Sequence, residues 1–270
     1  MTSTSGSQQR SRPVSTAAIL THDRVDVRDA VDRVRAVAET AGVELVEDPR
    51  DAELAIVLGG DGTMLRALAK LLGTEVPVVG VNFGRVGFLA SIKPEELEDS
   101  LRRVLAGDYA VVELPTLQAR LDGETYVAVN DVFVSSSILG RMIELSWAVG
   151  GEDLGTVPCD GMICATPTGS TAYNLSNGGP VLVRGLDAMA VTFIAPHSLD
   201  ARPLVVPRGL GVTLRNVAAD VPAAVLVDGH RVGDAAPGDE VVVYLGNERT
   251  LLATLPETTF FTKYRETFSA

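Results

Sequence analysis

Between residue 14 and about residue 112 the apolar positions alternate between two textures. Short unbroken runs at 17–20, 54–58 and 76–81 read as buried strands. Between them, apolar residues recur with helical spacing. Val27, Ala30, Val31, Val34, Val37, Ala38 and Ala41 form one stripe, closed by Gly42. Met64, Leu65, Leu68, Leu71 and Leu72 form a second, closed by Gly73. Leu97, Leu101, Val104 and Leu105 form a third, which opens at Pro94, carries Glu95 and Glu96 early and Arg102 and Arg103 late, and stops at Gly107. Acid first, base last and glycine after match the polarity of a helix. Continuous apolar strands alternating with amphipathic helices predict an α/β domain, a parallel sheet with helices on both faces.

After Glu113 the pattern changes. Short β-prone runs at 126–134, 143–149, 162–165, 191–195, 224–227 and 240–244 follow one another, and Asp228-Gly229 is a hairpin signal. Long helical stripes are scarce, so this half reads as a β-rich, sandwich-like domain. The expected organisation is a disordered tail over 1–13, an α/β domain over 14–112, a β-rich domain over 113–257, and a C-terminal segment over 258–270. That last segment carries Phe260, Phe261, Tyr264 and Phe268 at near-helical spacing and is expected to pack back on the first domain.

Charge narrows the choice of partners. Twenty-three basic residues against 35 acidic ones leave a net charge of −12. Such a surface repels nucleic acid and anionic membranes, although local cations still suit a small anion. Two cysteines build no disulfide framework and fit a reducing compartment. No apolar run approaches the roughly 18 residues of a membrane span, and the first thirteen residues lack a signal-peptide core. The expected location is cytoplasmic. Cys159 and Cys164 lack two further ligands at zinc spacing, and no residue is assigned to a metal. Trp147 is read as core, and His22 as a surface turn.

The candidate chemistry begins at Gly59-Gly60-Asp61-Gly62-Thr63, between a buried strand and a helix. Ligands of open α/β sheets bind at such strand ends. Three glycines let backbone approach a phosphate or ribose, Thr63 suits an N-cap, and the helix start favours an anion. Asp61 is the one acid in a turn otherwise shaped for phosphate, a place for a group that accepts a proton or holds Mg²⁺. A plain strand-to-helix turn, with the carboxylate bonding nearby N–H groups, accounts for a bare Gly-Asp-Gly equally well. There is no Walker A pattern, and Gly80-Val-Asn-Phe-Gly84-Arg-Val-Gly87 has the wrong spacing for the dinucleotide fingerprint.

A second run, from Cys159-Asp160-Gly161 through Thr166-Pro167-Thr168-Gly169-Ser170-Thr171-Ala172-Tyr173-Asn174 to Gly178-Gly179-Pro180, reads as strand, glycine turn, short helix and stop. Its hydroxyls and Tyr173 suit a ribose beside an aromatic base. A Ser/Thr-rich loop with its own turn bonds explains short pieces of it but not the whole.

Together these segments resemble the NAD kinase family, which phosphorylates the 2′-hydroxyl of the adenosine ribose of NAD. The likeness extends to Asn82–Leu89, Asn130-Asp131, Ala195–Leu199 with Arg202-Pro203, and Asp228-Gly229, covering nearly everything from Val14 onward. The resemblance implies an α/β domain followed by a β-sandwich-like one. It implies that Asp61 is the carboxylate that takes the 2′-OH proton, with Gly62 and Arg66 in the same turn. It implies NAD contacts from Asn130, Asp131, Thr171, Ala172, Tyr173 and Ser176, a basic contact from Arg141, and an acid at Asp160 near the nicotinamide end that in some members reaches a neighbouring subunit's site. His230 stands where glutamine is commoner. The implied partners are NAD and ATP or polyphosphate with Mg²⁺ or another divalent cation, in a homodimer or homotetramer. A lipid kinase of the same superfamily and a catalytically silent dinucleotide-binding regulator are the alternatives.

Overall fold

A computed structural model describes residues 7–10, 12–21, 27–84 and 87–268. His22, Arg85, Val86 and residues 1–6 and 11 of the expected tail lie outside the described residues. The chain forms two compact units: Met1–Leu114 with Arg249–Ala270, and Pro115–Glu248. Residues 249–257, expected in the β-rich half, thus belong to the first unit.

The first unit contains β1 (Ser7–Arg10), β2 (Thr16–Thr21), α1 (Arg28–Ala41), β3 (Glu44–Leu45), β4 (Leu54–Gly59), α2 (Asp61–Lys70), β5 (Val78–Asn82), α3 (Leu97–Leu105) and the start of β6 (Tyr109–Leu121). β3, β2, β4 and β5 lie side by side in that order, all parallel. Every residue of β4 is buried, as an unbroken apolar run at a sheet centre requires. Ile56, Val79 and Val81 share a core with Val34 and Val37 of α1 and Leu97 and Leu101 of α3. Residues one step along point the other way. There Gly80 leaves room for Met64 of α2, whose sulfur a Cβ would strike. Both faces are therefore covered. α1 ends at Gly42 with φ +68°, the left-handed stop its sequence announces. One reading is corrected. Ser7–Arg10, inside the expected disordered tail, pairs antiparallel with Tyr109–Val112, because backbone pairing needs no apolar side chains.

The second unit contains the rest of β6, then β7 (Glu124–Ala128), β8 (Asp131–Ser136), β9 (Ile143–Val149), β10 (Glu152–Cys159), β11 (Gly161–Ala165), α4 (Tyr173–Ser176), β12 (Ala188–Ile194), β13 (Leu204–Pro207), β14 (Val212–Asn216), β15 (Ala223–Val227), β16 (His230–Ala235) and the first part of β17 (Glu240–Thr254). One sheet runs β13-β12-β11-β8-β15-β16, antiparallel throughout. β10, β9, β14 and β17 form a second antiparallel array. Trp147 of β9 meets Phe193 of β12 edge to face, centroids 5.4 Å apart, inside the core between them. Cys164 is a buried core residue beside them. The run expected as one strand over 126–134 is interrupted at Val129-Asn130, for a reason that emerges at the site.

β17 enters the first unit after Glu248, and Leu252 pairs parallel with Val78 of β5. The last helix, α5 (Phe260–Phe268), belongs to that unit as well. No helix among the described residues is long and apolar enough to cross a membrane.

Candidate active site

In the first unit the corner after β4 is built from glycine. Gly60, not Thr63, is the N-cap of α2, and Asp61 is the first helical residue. Thr63 instead folds its side chain over Gly59, where no Cβ fits. An acid in the first turn is favoured by the helix dipole. The Asp61 carboxylate is held from across the corner. Oδ2 accepts from Phe88 N at 2.7 Å, and Oδ1 accepts from Leu89 N at 3.1 Å and Ala90 N at 3.2 Å. Gly87 is needed beside it, since a Cβ there would run into the carboxyl group. Asn82 Oδ1 accepts from Gly84 N at 2.9 Å, which keeps the 82–84 turn close to Gly60. Gly62 and Arg66 lie exposed further along α2.

In the second unit the structure separates the expected residues into two groups at opposite ends of β11. Register places Asp131 opposite Ala165 and Ser135 opposite Gly161. Five residues of strand set the ends roughly 15 Å apart. Asn130, Asp131, Thr171, Ala172, Tyr173 and His230 belong to the Ala165 end. Asp160 belongs to the other end, where its backbone bonds Ile194 and Ser136 and its side chain is exposed. Arg141 follows β8 at that same end and grips Asp220, with Nη2–Oδ1 at 3.0 Å and Nη1–Oδ2 at 3.1 Å.

At the Ala165 end the loop from Thr166 onward is tied to the Val129-Asn130 break. Thr166 N donates to Asn130 O at 2.8 Å and Thr166 Oγ1 donates to Val129 O at 2.7 Å. Gly169 passes so close to Asn130 O that no Cβ fits. Several hydroxyls read from sequence as ligand groups serve the loop itself. Thr166 Oγ1 also accepts from Gly169 N at 3.0 Å. Ser170 Oγ donates to Pro167 O at 2.7 Å and accepts from Leu182 N at 2.9 Å. Thr171 Oγ1 donates to Thr168 O at 3.1 Å. Ser176 is exposed, and Tyr173 is 43% exposed with its ring set on Phe133 at 5.5 Å.

Asn174, given no role by the sequence, is fully buried and anchors the segment. Its Nδ2 donates to Ser170 O and Pro180 O, both at 3.1 Å, and its Oδ1 accepts from Thr192 Oγ1 at 2.7 Å. Gly179 is required because a Cβ there would strike the Asn174 amide. Asp228, read as a turn residue within the family resemblance but given no role, sends its carboxylate to Val129 N, Asn130 N and Asp131 N at 2.8, 2.7 and 3.1 Å. Those bonds draw the amides out of the ladder and break the expected strand. Asp131 is 5% exposed, and burial together with the neighbouring Asp228 charge pushes its carboxyl up to about 7. Burial likewise raises Asp228, against the three amides and His230, which lower it.

Both halves match family models, the ATP-NAD kinase N-terminal domain over residues 7–109 and the ATP-NAD kinase C-terminal domain over 129–255. An NAD kinase of Heliobacterium modesticaldum is 42% identical over 239 residues, 87% of this chain and 84% of that protein. One from Gemmatimonas aurantiaca is 38% identical over 83% of this chain and 79% of that protein. Among solved structures, an NAD kinase from Archaeoglobus fulgidus in complex with ATP aligns with TM-score 0.78 and 26% identity, covering 94% of this chain and 97% of that one. Yeast NADH kinase complexed with NADH shares the fold, with TM-score 0.85 over 95% of this chain and 88% of that one at 23% identity. The chain belongs to the NAD kinase family.

Proposed function

We propose that this protein transfers a phosphoryl group to the 2′-hydroxyl of the adenosine ribose of NAD, with Asp61 as the proton acceptor. The observation that carries the reading is the Asp61 carboxylate fixed at the end of β4 by three backbone N–H groups. A carboxylate offers about four lone-pair sites. Oδ1 has two filled and Oδ2 one, so the open site is on Oδ2, and that atom receives the ribose proton. A base held this way needs no reorientation during transfer. A 2′-phosphate would fall where the attacked oxygen lies, beside this negative group, so NADP is a poor acceptor.

Gly62 and Arg66 border the corner. Asn130, Asp131, Thr171, Ala172, Tyr173, Ser176 and His230 hold the dinucleotide, the half-exposed Tyr173 ring supplying a face for a base. Asp160 and Arg141, at the far end of β11, suit the site of a neighbouring copy, which supports a homodimer or homotetramer. The donor is ATP or polyphosphate. Its divalent cation, Mg²⁺ or another, arrives as part of the phosphate complex and neutralises charge there. Among the described residues no group of three or more His, Cys, Asp or Glu side chains could hold a resident metal. Two unpaired, buried thiols support a reducing, cytoplasmic setting. A silent regulator and a lipid kinase are disfavoured by the match of both halves to ATP-NAD kinase models.

The test is NADP formation from NAD with Mg-ATP, read by a coupled dehydrogenase. Asp61→Asn, whose Oδ1 can still accept from Leu89 N and Ala90 N but which loses the Phe88 bond, is expected to fold and bind NAD with some loss of stability, read by its thermal midpoint, while turnover falls by about 10²–10⁴-fold, the usual worth of general-base help. Near wild-type turnover would remove Asp61 from that role.

A further inference from the structure

We infer that Asp228 is a positioning residue for the Asn130–Asp131 pair, its carboxylate locking the backbone from which both side chains project. The inference rests on the reading that this pair contacts NAD, and it concerns what holds the pair in place.

Asp228 and Gly229 are the two central residues of the β15–β16 hairpin, with φ +48° and +78°. Left-handed values at both positions define the turn that favours Asp-Gly. For the hairpin alone, that conformation is all the sequence has to supply. The Asp228 side chain does more. It reaches back 97 to 99 residues in sequence and accepts three consecutive amides, from Val129, Asn130 and Asp131, at 2.7 to 3.1 Å. In a regular strand successive N–H groups point to opposite neighbours, so three can converge on one carboxylate only where the ladder is broken. The Asp228 amide then donates to Asp131 O at 2.9 Å, closing the junction from the other side.

The carbonyls of the same residues are fixed independently. Thr166 bonds Val129 O and Asn130 O, and Gly169 packs against Asn130 O. Asn130 and Asp131 therefore sit on a backbone held by amides on one side and carbonyls on the other. Remove the Asp228 carboxylate and the carbonyl side remains, so the local fold survives while the direction of the two side chains loosens.

Charge supplies a second link. The groups facing the Asp131 carboxyl are Asp228 on the β15–β16 turn and Cys164 on β11, while His230 at the start of β16 faces Asp228. The Cys164 thiol, pushed up to about 12, stays neutral across the useful range. Burial is the larger cause of the raised Asp131 carboxyl and the Asp228 charge adds to it, so losing that charge lowers where Asp131 titrates, an effect a purely structural turn residue would not have.

The experiment is Asp228→Asn in the full-length protein, with Asn130→Ala and Asp131→Asn alongside. KM for NAD, kcat and thermal midpoint are measured from pH 5 to 9. Asparagine tolerates the left-handed turn but carries no charge and cannot accept all three amides. The expected result is a KM for NAD raised about tenfold or more, a smaller change in kcat, and a pH midpoint of KM displaced to lower pH. An unchanged KM and midpoint in Asp228→Asn, while the Asn130 and Asp131 variants raise KM, overturns the positioning role. An unchanged KM in the Asn130 and Asp131 variants overturns instead the reading on which it rests. Should Asp228→Asn not fold, amide hydrogen exchange of the wild-type protein decides. Protection of Val129, Asn130 and Asp131 equal to that of β8 supports the clamp, and exchange at loop rates overturns it.

Discussion

At the residue scale, the site depends on how each carboxylate is surrounded. Asp61 is wrapped by N–H donors, whereas Asp131 is buried beside a second acid. An acid raised to about 7 in the folded chain holds more protons there than in the unfolded one. Its contribution to stability is complete below the ordinary carboxylate value, near 4, and is lost as pH rises through about 7. Asp131→Asn removes that loss. Its thermal midpoint should match wild type near pH 4.5 and exceed it by several degrees at pH 8, as calorimetry at the two pH values would show. A constant difference across that range would contradict a buried Asp131 whose carboxyl is raised. Tyr173→Ala should raise KM for NAD with the fold intact, because the ring is 43% exposed and its removal leaves little cavity. An unchanged KM would place the base elsewhere.

At the scale of elements, periodicity exposed the parallel half well. The stripes ending at Gly42 and Gly107 are α1 and α3, and the apolar run at 54–58 is β4. Strands without such a signature escaped it. β10 is mostly exposed and polar from Glu152 to Thr156, β16 carries His230, Arg231 and Asp234, and β6 contains Pro115. Partners far along the chain also escaped it. Asn174 is anchored by Thr192 and Val129–Asp131 by Asp228, and nothing local announces either. The acid, the glycine corner and the Thr166–Tyr173 segment were legible because their residue types are unusual together. Which of those hydroxyls bond their own loop was not legible, since orientation belongs to tertiary structure. One element carries a prediction of its own. Phe88, whose amide holds Asp61, lies against Phe260 and Phe268 of α5 with centroids 5.9 and 5.8 Å away. Phe88→Ala should cost roughly 3–5 kcal/mol of stability and lower kcat more than it raises KM for NAD. Denaturant titration and steady-state kinetics on one preparation would check both, and an unchanged kcat would separate α5 from the corner.

At the scale of the whole molecule, the net charge of −12 opposes the approach of ATP and of polyphosphate alike. A long polyphosphate carries far more charge than Mg-ATP and feels that field more strongly. Screening shortens from about 30 Å at 0.01 M salt to about 8 Å at 0.15 M. If both donors are used, the ratio of kcat/KM for polyphosphate over ATP should therefore rise with ionic strength, a comparison that steady-state rates at two salt concentrations provide. A falling ratio would mean that local cations govern donor capture.

The path of the chain has a consequence for synthesis. The first unit holds Met1–Leu114, yet β5 gains Leu252 of β17 only after all of Pro115–Glu248 has been made. On the ribosome Ile92 can already bond Gly80 and Asn82, but the Val78 end of β5 waits for Leu252, and unpaired edges invite association with other chains. Prompt folding of the intervening sandwich therefore governs how long that edge stays open, and slowing translation through 115–248 should favour aggregates over finished enzyme.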